Sequence, residues 1–128
     1  MRLLLDTHTF LWWVADAPEL SAKARKAIAR PQNECIVSLA SCWEIAIKTS
    51  LGKLEISGNL GRFIPDQLAA NRFRELQIEV RHVARVARLP FHHRDPFDRL
   101  LAAQALEEGL TMVSDDHVFR RYGVRRLW

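Results

Sequence analysis

The chain has 128 residues, 48% hydrophobic and 27% charged, proportions that suit one folded domain and exclude a disordered polymer. Its formal net charge of +4 mildly favours a polyanionic partner, and no apolar run approaches the roughly 20 residues that span a bilayer. Cys35 and Cys42 are the only cysteines and form no CxxC pair, so reduced, packed thiols in a cytoplasmic protein are expected, with no disulfide or structural metal required.

From the N-terminus, "RLLLD" reads as a strand buried on both faces and ending in an acid, Asp6. That acid interrupts the apolar run too early for a secretory signal. "HTFLWWVAD" reads as a short helix. "SAKARKAIAR" begins with a serine cap and repeats Ala24, Ala27 and Ile28 at helical spacing, and Pro31 and Asn33 break it. "CIVS" is a second short strand. "LASCWEIAIKTSLGKL" is a third helix with Trp43, Ile47 and Leu51 on one face, halted near Gly52. "EISGNLG" is turn-rich, and "RFIPDQLAANRF" contains a short helix. "ELQIEV" alternates as a strand, and "RHVARVARL" repeats Val83, Val86 and Ala87 as a helix face, ended by Pro90. "PFDRLLAAQALEEG" is the strongest helix, with proline at its first position and glycine after it. "LTMVS" is a strand, "DDHVFRRYG" a short helix or turn, and "VRRLW" a closing strand. Strands alternating with helices predict one α/β domain over residues 1–128, its parallel sheet covered on both sides.

In such a fold each strand's C-terminal end feeds a helix N-terminus, so both gather on one edge of the sheet, where open α/β folds carry their sites. Asp6 closes the first strand, and Asp115 and Asp116 follow "LTMVS". Glu44 lies early in the third helix, and Asp98 in the first turn of the helix opened by Pro96. Each acid also has a purely structural reading. Asp95 is a natural N-cap with Asp98 at the third helical position. Ser41 and Glu44 match a capping box, and Glu44 can pair with Lys48 one turn on. One of Asp115 and Asp116 serves as a cap. As a set, acids from four segments brought together repel one another unless protons or a cation intervene. Hard divalent ions prefer such oxygen ligands, and a carboxylate-held ion, or a pair about 4 Å apart, activates water against a phosphodiester. The pattern points to a metal-dependent nuclease centre with one ion or two.

At these residues the sequence resembles the PIN-domain ribonucleases, specifically the VapC toxins of toxin–antitoxin systems. "LLLDTHTFLWW" matches the family's opening strand and first acid at Asp6, and "VSLASCWEIAIKTSLGKL" the segment with the second acid at Glu44. "HRDPFDRLLAAQA" resembles the signature of a DPFDR-bearing subgroup, with Asp98 in the third acidic position. "LTMVSDDHVFRRYGV" resembles the closing segment, with Asp116 the best match for the fourth acid and its neighbour Asp115 the alternative. The family commonly has threonine where this chain has Ser114, which still offers a hydroxyl. The resemblance implies a PIN-like α/β/α sandwich and Mg²⁺- or Mn²⁺-dependent endonucleolytic cleavage of RNA. It also implies a homodimer and a cognate VapB-like antitoxin.

On this reading Asp6, Glu44, Asp98 and Asp116 hold the metal, directly or through water, and no protein base is nominated. Thr7, Ser114, Asp95 and Asp115 support the site, the hydroxyls as hydrogen-bond donors or turn caps. Arg94, Arg99, Arg120 and Arg121 flank the acidic edge as candidate phosphate contacts, their alternative being surface charge. His8, His92, His93 and His117 lack zinc-site spacing, although His93 can orient the loop before Asp95. The four tryptophans are expected in the core or an interface. A haloacid-dehalogenase-like phosphatase would need a second aspartate two residues beyond Asp6. That class and receiver domains usually need a late lysine, and none follows Lys53. A catalytically inactive PIN-like RNA-binding or protein-interaction module is the remaining alternative.

Overall fold

Leu3, Leu4 and Leu5 are wholly buried in the computed structural model, which describes residues 1–128. A strand apolar at every position must be covered on both faces. That strand, β1 (Arg2–Leu5), is the centre of a five-stranded, entirely parallel sheet. β2 (Glu34–Ser38) and β4 (Thr111–Val113) flank it, and β3 (Arg74–Leu76) and β5 (Arg126–Leu127) form the edges, in the order β3-β2-β1-β4-β5. Leu4 stands opposite Ile36 on one side and Met112 on the other. Alternation along the strands then sorts the core. Leu4, Ile36 and Met112 enter one cluster, while Leu3, Leu5, Cys35, Val37 and Val113 enter a second on the opposite face.

Four helices cover the second cluster: α1 (Thr7–Val14), α2 (Ala22–Ala29), α3 (Leu39–Ser50) and α4 (Leu60–Asn71). They contribute Phe10, Ala24, Ile28, Cys42, Ile45 and Leu68. On the other face lie α5 (Val80–Val86), α6 (Pro96–Glu108) and α7 (Val118–Arg121), led by Leu101, Ala102, Ala105 and Phe119. The result is the α/β/α sandwich expected. Cys35 and Cys42 are free and buried, and burial pushes both thiols up to about 11, so they stay protonated.

α6 matches its sequence signals closely: Asp95 caps it, Pro96 opens it, and Gly109 closes it in the left-handed conformation at φ 67°. Three expectations are corrected. The strand in "ELQIEV" stops at Leu76, because the Glu79 amide donates to His82 Nδ1 at 3.0 Å and opens α5. α5 turns the wholly buried His82 inward with Val86, and Leu89 follows beyond its end, leaving Val83 55% exposed. The ring is accommodated because Nε2 meets Glu108 Oε2 at 2.9 Å. The Trp43–Ile47–Leu51 stripe of α3 is not a core face: Trp43 is 56% and Leu51 62% exposed, while Ala40 and Ile45 pack inward.

The chain leaves β1 in one direction, towards β2 and β3, and the other strands lie on the opposite side as β4 and β5. β1 and β4 therefore straddle the reversal of strand order, where open α/β sheets present a crevice at the strands' C-terminal ends. Asp6 and Ser114–Asp116 sit at that crevice.

Candidate active site

Asp6 ends β1 and caps α1, its Oδ1 accepting from the Thr9 amide at 2.8 Å. The strand end is buried, so burial pushes the carboxyl up, against hydrogen bonds from Ser114 and Thr9 and the nearby His8 imidazole. The next residue, Thr7, donates from Oγ1 to Glu44 Oε1 at 2.6 Å and lies 3.0 Å from Ser41 Oγ. Lys48 Nζ meets the other Glu44 oxygen at 2.9 Å, one helical turn on. Both carboxylate oxygens of this buried glutamate are thereby oriented. The Ser41–Glu44 capping box is not formed, because the N-cap lies three residues earlier, at Ser38, which accepts from the Ala40 amide.

Asp95 Oδ1 accepts from the amides of Phe97 (2.8 Å) and Asp98 (3.3 Å), which fixes the mouth of α6. Asp98 projects into the pocket from that first turn. The Asp95 amide donates to His93 Nδ1 at 2.9 Å, so the ring proton sits on Nε2. That nitrogen lies 3.5 Å from Asp98 Oδ2 and 3.9 Å from Asp116 Oδ2. Beyond β4, the fully buried Ser114 accepts the Asp116 amide at 3.0 Å, and Asp116 Oδ1 takes the Val118 amide at 2.9 Å.

Together these side chains line a cavity of about 110 Å³ whose wall has no hydrophobic residue: Asp6, Thr7, His8, Glu44, Lys48, Asp95, Asp98, Asp115 and Asp116. Asp98 feels the crowding most. Burial, and then Asp95, Asp6, Glu44 and Asp116, push its carboxyl from 3.8 up to about 7. The volume admits an ion with several waters. Hard oxygen donors from six carboxylate residues, with Lys48 the one fixed cation on the wall, suit a divalent ion of the magnesium type. His93 Nε2 and carboxylate oxygens of Asp98 and Asp116 lie within 4.8 Å of one another, and with its proton on Nε2 the ring faces these acids as a donor rather than as an ion ligand.

All four acids proposed as ligands, with Thr7, Asp95 and Asp115, thus share one pocket, and Ser114 lies beneath it. The arginines divide. Arg94 stands on the rim, lining a groove with Glu44 and Lys48. Arg99 is corrected: it is 6% exposed and donates to the carbonyls of Pro90 (2.9 Å), Val86 (3.1 Å) and Leu89 (3.4 Å), so it clamps the α5–α6 connection and cannot meet RNA. Arg120 is corrected as well, since it borders a recess with Met1 and Thr111 at the opposite edge of the sheet. Arg121 is exposed on α7 and lines neither the pocket nor the adjoining groove. Two site residues carry little signal in the sequence. Lys48 was visible in the sequence only as a helical ion-pair partner. His93 reads in the sequence as a loop organiser, and its reach towards Asp98 and Asp116 depends on a loop fold that no spacing rule encodes.

Fold and pocket define a class: a parallel α/β protein with a multi-carboxylate centre at its topological switch point. Comparison narrows it. The model of the PIN domain matches residues 3–125. Ribonuclease VapC22 of Mycobacterium tuberculosis (strain ATCC 25618 / H37Rv) is 30% identical over 121 residues, 94% of this chain and 91% of that protein. The chain therefore belongs to the PIN-domain family, in its VapC branch. Among solved structures, VapBC2 from Rickettsia felis bound to a DNA fragment from its promoter superposes with a TM-score of 0.73 at 16% identity, covering 98% of this chain and 97% of that one. The DNA-bound VapBC of Salmonella typhimurium gives 0.66 at 18% identity, covering 98% and 96%. At these identities the likeness is one of fold.

Proposed function

We propose that this chain is a metal-dependent endoribonuclease, the toxin of a toxin–antitoxin pair. The observation that carries the proposal is the convergence of Asp6, Glu44, Asp98 and Asp116, from four separate segments, on one cavity without a hydrophobic residue. These four would hold Mg²⁺ or Mn²⁺. When bound, such an ion supplies Lewis acidity and lowers the pKa of water at a phosphodiester.

The chain's own residues do the rest. Thr7 and Lys48 aim the two Glu44 oxygens. Asp95 sets the helix end from which Asp98 projects, and Ser114 holds the Asp116 backbone. His93 points Nε2–H between Asp98 and Asp116 and so lessens their repulsion when no cation is present. No side chain in the pocket is poised as a dedicated base. RNA is the substrate this assigns. The partners would be a VapB-like antitoxin, in keeping with the similar VapBC complexes from Rickettsia felis and Salmonella typhimurium, both bound to DNA, and a second copy of the chain, as the family resemblance implies. No helix is long and apolar enough to cross a membrane, and the cytoplasm is the compartment we assign.

The test is cleavage of RNA by the purified chain with Mg²⁺ or Mn²⁺, its loss with a chelator, and its loss in Asp6→Asn and Asp98→Asn. Undiminished cleavage by both variants would overturn the assignment.

A further inference from the structure

We infer that the groove beside the acid pocket is the track along which single-stranded RNA approaches, its phosphates held by Lys53 and Arg94; this rests on the nuclease reading. The groove, about 410 Å³, is continuous with the pocket: Glu44, Lys48 and Asp95 line both. Its charge is opposite to the pocket's. Lys48, Lys53 and Arg94 line it, and Lys53 and Arg94 enter no ion pair or side-chain hydrogen bond, whereas Lys48 is bonded to Glu44. A polyanion drawn to a cluster of carboxylates meets repulsion, and cations immediately outside the cluster offset it.

The groove's floor supplies the second observation. Ile47 of α3, Leu51 just past its end and Phe97 of α6 line it, and Trp43, beside the groove rather than in its wall, stands edge-to-face on Phe97 with ring centroids 5.1 Å apart. This is the α3 stripe that the core leaves unused, Trp43 being 56% exposed. Exposed aromatic and apolar surface between phosphate-binding cations is the chemistry by which single strands are held, bases against rings and backbone against charge. Duplex RNA offers its phosphates but not its base faces, so a single strand fits better.

Binding is measured without catalysis: a labelled single-stranded RNA of about 12 nucleotides, in EDTA, titrated across a range of salt concentrations with the full chain. In the Lys53→Gln/Arg94→Gln double variant the slope of log affinity against log salt should shrink by about 1.4, since each single-strand phosphate contact contributes about 0.7. The charge-keeping pair Lys53→Arg/Arg94→Lys should restore it. An unchanged slope overturns the inference. So does an unchanged slope accompanied by loss of affinity for a co-expressed antitoxin, which would assign the groove to a protein. Because the readout needs no cleavage, failure of wild-type RNA cleavage would sink the nuclease reading without moving this result.

Discussion

Replacing Asp98 by asparagine should make the metal-free protein more stable and, at the same time, inactive. The carboxyl is held at about 7 against an ordinary 3.8, chiefly by burial and then by four neighbouring acids. At about 1.4 kcal/mol per tenfold change in proton affinity, ionising it in the folded state is disfavoured by about 4 kcal/mol. The sign follows from linkage: a raised carboxyl means the folded chain holds the proton more tightly than the unfolded one, so stability falls as pH rises from about 4 towards 7 and the whole penalty is present above that. Asparagine removes it. Urea unfolding in EDTA at pH 8 should show the variant more stable by up to about 4 kcal/mol, and at pH 5 by less than about 2 kcal/mol. Mg²⁺ added at pH 8 should raise the wild-type midpoint, by mass action on the folded state, and should move the variant's far less. Cleavage should fall at least about 100-fold, since losing even an outer partner of a metal ligand costs up to that much. A variant no more stable than wild type at pH 8, or a gain that does not shrink on acidification, would refute the claim that burial, reinforced by the neighbouring acids, holds Asp98 protonated in the metal-free pocket.

Other outcomes follow from the same geometry. Thr7→Val keeps the shape but removes the 2.6 Å hydrogen bond to Glu44, so stability should fall by about 1–3 kcal/mol and cleavage should fall with it; comparing the two readouts with Mg²⁺ present shows whether the glutamate has lost its aim. Arg99→Met deletes a buried guanidinium and leaves the carbonyls of Pro90, Val86 and Leu89 without this donor, which should cost about 1–3 kcal/mol in denaturant, while the salt slope for RNA binding stays as in wild type. The Glu108 carboxyl is held below its usual value first by the His82 hydrogen bond and then by Arg81. A depressed carboxyl adds stability above its unfolded pKa that is lost as pH falls through the folded one. Glu108→Gln should therefore flatten the stability profile below about pH 5, read by thermal melts across an acid series.

Much of this molecule was legible before any fold was known, because the signals concerned are local. The apolar run of β1, the proline, aspartate and glycine that delimit α6, and the rule that parallel strands end on one edge are all properties of neighbouring residues or of chirality. They sufficed to bring Asp6, Glu44, Asp98 and Asp116 to a common rim. Other features were decided only by packing at long range. Whether an apolar stripe on a helix faces the core depends on what stands opposite it. α3 presents Ala40 and Ile45 inward and leaves Trp43 exposed, with Ile47 half-buried and Leu51 exposed just past its end. An arginine's role is equally invisible along the chain. Arg94 and Arg99 lie five residues apart, and one is exposed at the groove while the other is buried against three carbonyls. His82 could enter the core only because Glu79 at the start of its own helix and Gln104 and Glu108 of α6 surround its ring. Periodicity counts hydrophobic residues and is blind to such partners, since the energy that settles a buried polar group lies in contacts between segments.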